Sequence, residues 1–479
     1  MFFIWNKKMT KIGLFGIGLD TYWNQFNGLK ERLTEYQNKI FTQMQTDEVE
    51  IINGGLVDNP ASAQKIGSFF QQEGIDLIFI YISTYALSHT VLPVLQTVKV
   101  PAIILNIQPT AAIDYTAFNN LNDRGLMTGE WLAHCSACSV PEIAHICNKA
   151  NLPYDIITGY LNEEYVWTQI KEWIHASRTV KELQQSRIGI LGHYYCGMLD
   201  VYTDITELAS VFGCHFELLE IDELAQYHKA VSKRDIMIKR QQFETEFKID
   251  SECEAFELDR AAQTSCALDT LVEKRNLHAM AYYYEGTPGS THENIVTSVI
   301  AGNTLLTAHH IPVAGECEVK NVLAMKIMDI LKVGGSFAEL YAMDFNDDII
   351  LWGHDGPAHP TIADGQVALV PLPVYHGKPG KGLSIQMTVK QGPVTFLAVV
   401  QGRSGKTLLL IAEGESVVGP VLQIGNTNSR YKFPISARAF VDKWSKQGPS
   451  HHCAIGIGHI HTIIEKIAFL LGIECIKIC

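Results

Sequence analysis

The sequence predicts two doubly wound, Rossmann-like α/β domains and a C-terminal part built on an antiparallel sheet or small barrel. Three observations lead there. Continuous apolar runs alternate with helical segments over the first 170 residues, as in parallel sheets covered on both faces. A similar start signal recurs near residue 186. Beyond about residue 340, apolar and polar residues alternate, with Gly, Pro and Lys breaking the pattern every eight to twelve positions.

The elements follow in order. KIGLFGIG (11–18) is a short buried strand, followed by helical spacing over TYWNQFNGLKERLTEYQNKI (21–40). VEIINGG (49–55), DLIFIYIS (76–83) and VPAIILN (100–106) are further strands, with SAQKIGSFFQQEG (62–74) as a helix between the first two. A second, smaller domain begins near residue 170, after the helix containing TQIKEWIHASR. Its strands are SRIGILG (186–192), FELLEIDEL (216–224, a strand and turn) and NLHAMAYYYEG (276–286). DDIILWGH, QVALVPLP, GLSIQMTVKQGPVTFLAVV and KTLLLIAEGESVVG form the alternating C-terminal set, and HIHTIIEKIAFLLG (459–472) closes the chain as a helix.

At 479 residues the chain exceeds what one hydrophobic core usually serves, so two or three domains are expected. Hydrophobic residues make up 47% and charged residues 19%, which excludes a disordered or fibrous chain. The 51 acidic residues outnumber 38 basic ones, a net charge of −13 that disfavours nucleic acid and anionic membranes as partners. No apolar stretch reaches the length of a membrane helix. In MFFIWNKKMTKIGLFGIG the lysines follow the first apolar run and no small-residue cleavage site is present, so an extension leading into the first strand is expected. Eleven cysteines without a framework spacing fit reduced thiols in the cytoplasm.

Several motifs invite chemistry they do not complete. Gly13, Gly16 and Gly18 fail to make G-x-G-x-x-G because position 21 is Thr21. GRSGKT (402–407) lacks the first glycine of a phosphate loop, since position 400 is Val400, and reads as a turn. Cys135 and Cys138 form C-x-x-C near His134, His145 and Cys147, open to a zinc site, a redox pair or ordinary thiols near a pocket. The spacing matches no common zinc module, and SVPEIAHICNKANL (139–152) reads as a helix burying Cys147.

Four polar residues each stand beside an apolar run. Glu285 ends HAMAYYYE, Glu316 ends HIPVAGE, His354 ends DIILWGH, and His452 lies in GPSHHCAIGIGHI. Any one alone reads as a cap or a solvated loop residue. Together, two carboxylates and two imidazoles make a mixed oxygen and nitrogen set suited to Mn²⁺, Co²⁺ or Mg²⁺ with positions open to substrate oxygens. Such an ion polarises a sugar carbonyl and stabilises an enediolate while a Glu moves a proton between neighbouring carbons.

The words YYYEG (282–286), GECEVKNVLAMKIMDIL (315–331), DIILWGHDGPAHP (348–360) and GPSHHCAIGIGHI (448–460), in this order, resemble the L-arabinose/L-fucose isomerase superfamily, with the L-arabinose isomerase branch nearest. The resemblance runs over most of the chain. It implies an N-terminal α/β domain (1–169), a central one (170–310) and a C-terminal domain with an antiparallel β-barrel (311–479), which shares the metal site with the central domain. It further implies a metal-dependent aldose–ketose isomerase acting through a cis-enediol, with Glu285 and Glu316 catalytic and Glu285, Glu316, His354 and His452 as metal ligands. Mn²⁺ is the expected ion, with Co²⁺ or Mg²⁺ as alternatives. His451 takes a polar, substrate-binding role. Glu318 and Lys320 either support the site or pair at the surface. A cytoplasmic homo-oligomer, a hexamer with active sites near subunit boundaries, is implied too. The alternative is a non-catalytic sugar-binding or regulatory relative. Two departures stand out. GIGLDTYWNQF occupies the place of the family's Ser-Gln-His-Leu-Tyr-Gly stretch, and NLPYDIITGYLN lacks a family histidine. These altered loops point to a related pentose, 6-deoxyhexose or modified sugar.

Overall fold

A computed structural model describes residues 9–375 and 380–479; the N-terminal extension read from MFFIWNKK lies outside the described residues. The chain divides into two compact units, one running through Lys181 and the other from Glu182 to Cys479.

The first unit is a five-stranded parallel sheet. Strands β1 (Thr10–Ile17), β2 (Val49–Val57), β3 (Leu77–Ile82), β4 (Ala102–Gln108) and β5 (Tyr154–Tyr160) lie in the order β2-β1-β3-β4-β5. That order belongs to one of the two common doubly wound classes. All six residues of β3 are buried because helices cover both sheet faces, hence its unbroken apolar run. The helix Pro60–Glu73 starts where Asn59 and Ser62 cap one another and Pro60 presets the first turn; it stops at Gly74 in the left-handed region. The helical spacing read over 21–40 is realised as a short 3-10 turn (Asp20–Tyr22) and a helix, Leu29–Met44, separated by Gly28 at φ 80°. Cys147 is buried in the helix Val140–Ala150, as its spacing predicts.

The second unit contains a four-stranded parallel sheet and a larger mixed one. β6 (Arg187–Gly192), β7 (His215–Leu219), β9 (Ala279–Tyr283) and β10 (Val313–Ala314) lie in the order β10-β9-β6-β7, while β8 (Lys248–Ile249) belongs to a small sheet with β13 (Ala368–Leu372) and β14 (Gly382–Gln386). Gly192, at φ 90°, ends β6 where a Cβ would come within 2.1 Å of the Tyr283 carbonyl oxygen, so only glycine fits this exit. The mixed sheet comprises β11 (Gly334–Asp344), β12 (Ile349–His354), β15 (Gly392–Gln401), β16 (Thr407–Val417), β17 (Thr427–Lys432), β18 (His452–Ile457) and β19 (Glu474–Lys477). Its ladders are antiparallel except that between β16 and β19, and β15 pairs with both β18 and β16. GRSGKT forms the turn between β15 and β16, closed by the Gly402 N–H donating to Lys406 O at 3.0 Å.

One helix joins the two sheets. Every residue of Val319–Ile330 is buried, and it packs on β9 and β10 of the parallel sheet and on β11, β15 and β18 of the mixed one. A helix buried all round must pair its charged side chains internally. Lys326 Nζ lies 2.7 Å from Asp329 Oδ2, and Asp329 Oδ1 lies 2.8 Å from His310 Nδ1. Burial would raise Asp329, but Lys326 and His310 outweigh it and hold its carboxyl at about 2. Because this lies below the unfolded value of about 3.9, the stabilisation is present above pH ~4 and lost as pH falls through about 2. Asp329→Ala strands the buried Lys326 ammonium and should cost about 3–5 kcal/mol. Urea unfolding at pH 7 checks this, and a loss under about 1 kcal/mol would mean the pair contributes little.

Candidate metal centre

The ends of β10, β12 and β18 bring the polar residues of the second unit together. After β10 the chain turns sharply into the buried helix, with Glu316 at φ 53° and Cys317 at φ 57°. Two successive non-glycine residues in the left-handed region cost about 1–3 kcal/mol each. They are held by the Cys317 N–H donating to Tyr282 O and the Glu318 N–H donating to Gly315 O, both at 2.9 Å. This turn positions Glu316 at the carboxyl end of the parallel sheet, where doubly wound folds bind ligands.

Glu316, His451 and His452 each offer a ligand atom within 4.8 Å of the others, and they are the one such group of three among the described residues. Glu316 Oε2 lies 3.3 Å from His452 Nε2 and 3.4 Å from His451 Nε2. Glu316 Oε2 and His452 Nε2 are buried and make no hydrogen bond. Buried polar atoms left this way are costly unless a further group meets them. A divalent ion taking one carboxylate oxygen and two imidazole nitrogens fits the donor set.

The charges of the centre are strongly coupled. Burial opposes ionisation of Glu316, yet the neighbouring His451 and the field of His452 and His354 hold it at about 2. Burial would lower His451, but the nearby carboxylates of Glu316 and Asp200 lift it to about 9. His452 is wholly enclosed and drops to about 3. Burial raises Glu318 to about 7 against the pull of Lys320.

His354, the last residue of β12, lies at the edge of this group, with Nε2 3.9 Å from Glu316 Oε1. The Gly356 N–H donates to His354 Nδ1 at 2.8 Å, so the neutral ring carries its proton on Nε2, facing Glu316. Phe337 packs against both imidazoles, its ring centroid 4.5 Å from His354 and 4.3 Å from His452, whose own centroids are 5.3 Å apart. Glu285 stands outside the group of three. It is exposed just beyond β9, and Tyr283 OH donates to its Oε1 at 2.6 Å. Glu318 and Lys320 are both buried, so they form no surface pair. Sequence reasoning passed over Asp200 and Glu339. Asp200 Oδ2 lies 2.6 Å from His451 Nδ1, and Glu339 Oε2 lies 3.9 Å from His451 Nε2. Glu339 follows an apolar residue within β11, where strand alternation alone hides it; Asp200 sits in a loop without a motif. A small cavity of about 60 Å³, with room for an ion or a few waters, borders Glu316, His354, Asp355, Tyr195 and Tyr283.

Cys135, Cys138, Cys147, His134 and His145 form no comparable group among the described residues. Cys135 and Cys147 are buried while Cys138 is exposed, and burial pushes the first two thiols up to about 11, away from the thiolate a metal needs.

The fold and centre together define an α/β protein whose second unit carries a carboxylate–imidazole site at the junction of a parallel and an antiparallel sheet. No family model matches the chain. Over 344 residues it is 22% identical to a sulfoquinovose isomerase of Alkalicoccus urumqiensis, covering 70% of this chain and 74% of that protein. Over 356 residues it is 21% identical to an L-arabinose isomerase of Mycolicibacterium smegmatis, covering 70% and 68% respectively. These similarities place the chain among distant relatives of the sugar isomerases, in the arabinose isomerase-like superfamily, as the sequence words imply.

The cysteines supply a clean control. The Cys135→Ser/Cys138→Ser double variant should bind divalent ions as the wild type does, measured by plasma emission after dialysis. Stoichiometric zinc lost on that change would restore the cysteine-site reading.

Proposed function

We propose that the protein is a metal-dependent aldose–ketose isomerase. The observation that carries this is the convergence of Glu316 Oε2, His451 Nε2 and His452 Nε2, with the buried Glu316 Oε2 and His452 Nε2 unbonded, in a relative of two sugar isomerases. Glu316, His451 and His452 would hold the ion, with His354 and Glu285 beside them; oxygen and nitrogen donors favour Mn²⁺, with Co²⁺ or Mg²⁺ as substitutes. When bound, a divalent ion supplies a Lewis acid for the sugar's carbonyl and adjacent hydroxyl oxygens.

The protein's own groups move the protons. Glu285, aimed by the Tyr283 hydroxyl, takes the proton from C2 of the aldose and returns it to C1. The hydroxyl proton passes from O2 to O1, so the enediol becomes a ketose with no atom gained or lost. His354 Nε2–H would donate to an oxygen near Glu316, and the tilted rings of Tyr195 and Tyr283, with centroids 4.5 Å apart, offer an apolar wall beside the cavity. Glu316 serves as ligand more than as base, since the imidazoles keep it ionised.

The run of pairings β15–β18–β11–β12–β17–β16–β15 supports a closed antiparallel barrel, and the parallel sheet beside it supports a separate central domain. No helix among the described residues is long and apolar enough to cross a membrane. A cytoplasmic homo-oligomer is part of the same reading.

The test is a panel of aldoses, including L-arabinose, 6-deoxyhexoses and sulfoquinovose, incubated with protein and Mn²⁺ and read as ketose formed. A protein that binds the sugars and the ion without converting any would be a sugar-binding relative instead. Glu316→Gln should lower ion affinity by 10-fold or more and abolish turnover, while thermal unfolding stays within a few degrees. Turnover in deuterated water should place solvent deuterium on C1 of the ketose. Complete retention of the original hydrogen across many turnovers would instead indicate a hydride shift.

A further inference from the structure

His451 and His452 are neighbours in sequence, yet each has a separate carboxylate behind its ring. His451 Nδ1 lies 2.6 Å from Asp200 Oδ2, which also accepts the His451 backbone N–H at 3.0 Å. His452 Nδ1 lies 3.4 Å from Glu318 Oε2, while Glu318 Oε1 accepts from Ser450 Oγ at 3.1 Å. The far nitrogens of both rings approach the same atom, Glu316 Oε2, at 3.4 and 3.3 Å.

We infer that Asp200 and Glu318 are positioning residues that set the ring tautomers of His451 and His452, so that both Nε2 atoms present lone pairs to an ion held with Glu316. This rests on the metal-site reading proposed above. With an ion at Nε2 each imidazole would be neutral and keep one N–H; facing a carboxylate that accepts it, that proton sits on Nδ1 and leaves the lone pair on Nε2. Carboxylates behind metal-binding imidazoles act in this way generally, fixing orientation and raising ligand basicity.

The surroundings bear this out. Glu318 is wholly enclosed at the start of the buried helix and makes no capping hydrogen bond there. A carboxylate in that position is expensive, and its direct partners are the side chains of Ser450 and His452. Asp200 reaches the site from the loop after β6. Its backbone carbonyl accepts from Lys320 Nζ at 2.5 Å and from Ser450 Oγ at 3.1 Å. Ser450 Oγ thus lies between the Asp200 backbone carbonyl and the Glu318 carboxylate, and Lys320 pins the loop to the buried helix. Phe337 at 4.3 Å and the His451 ring at 3.9 Å both pack against His452 and oppose rotation of the enclosed imidazole.

The experiment is calorimetric titration of metal-free full-length protein with Mn²⁺, for the wild type and for Glu318→Ala, Glu318→Gln, Asp200→Ala and Asp200→Asn. The visible spectrum of the Co²⁺ form and the thermal midpoint are recorded alongside. Each alanine variant should bind Mn²⁺ about 10–100-fold more weakly and show an altered Co²⁺ spectrum. Each amide variant should recover most of the affinity, because its side-chain oxygen still accepts the Nδ1 proton. Alanine variants that bind within twofold of the wild type overturn the inference, even if their midpoints fall, because that is what a merely structural role predicts. Should Glu318→Ala fail to fold, Asp200→Ala on the partly exposed loop decides by the same criterion. A wild type that binds neither ion overturns the metal-site reading itself, a different result from a bound ion indifferent to both carboxylates.

Discussion

The centre depends on the burial of one helix. Val319–Ile330 is enclosed between the parallel and mixed sheets, and the chain enters its first turn directly from β10. That route forces Glu316 and Cys317 into the left-handed region. The packing of a dozen buried residues easily outweighs a few kcal/mol of backbone strain. The result is a carboxylate whose direction is fixed by the fold, at the helix N-terminus, where the peptide dipoles favour negative charge.

Electrostatics then shape what that carboxylate can meet. Glu316, Glu318, Glu339 and Asp200 crowd around three imidazoles, of which His354 and His452 are pushed down by burial and only His451 is pushed up. Without an ion, the His451 proton is the positive charge nearest Glu316. A divalent ion would replace one proton with two charges and meet the unbonded oxygen and nitrogen together. The arrangement is therefore better balanced around a cation than by its own hydrogen bonds.

Much of this was legible in the sequence, because buried parallel strands have to be continuous apolar runs. β1, β3, β4 and β9 announced themselves, and so did Glu316 and His354 as polar residues ending such runs. β5 did not. It is the edge strand of its sheet and only Ile157 in it is buried, so YDIITGY carries no long apolar run and went unmarked as a strand. The break at Gly28 was hidden because the residues on either side keep helical spacing while the chain between them turns. Asp200 and Glu339 were invisible for a deeper reason. Their roles come from contacts across more than a hundred residues of sequence, which spacing does not encode.

The two outer residues of the centre differ in a way that bears on mechanism. His354 is held by the Gly356 N–H at Nδ1, and a Cβ at position 356 would come within 2.8 Å of that nitrogen. The glycine therefore maintains the tautomer with a proton on Nε2, the reverse of the arrangement at His451 and His452. Three imidazoles face one carboxylate: two with carboxylates at Nδ1 suit a cation, and one with a backbone N–H at Nδ1 suits an oxygen acceptor. An aldose presents both needs at once, since its oxygens bind a cation and also gain charge as a carbon-bound proton leaves. The opposed tautomers divide those tasks among side chains of the same type, by what lies behind each ring.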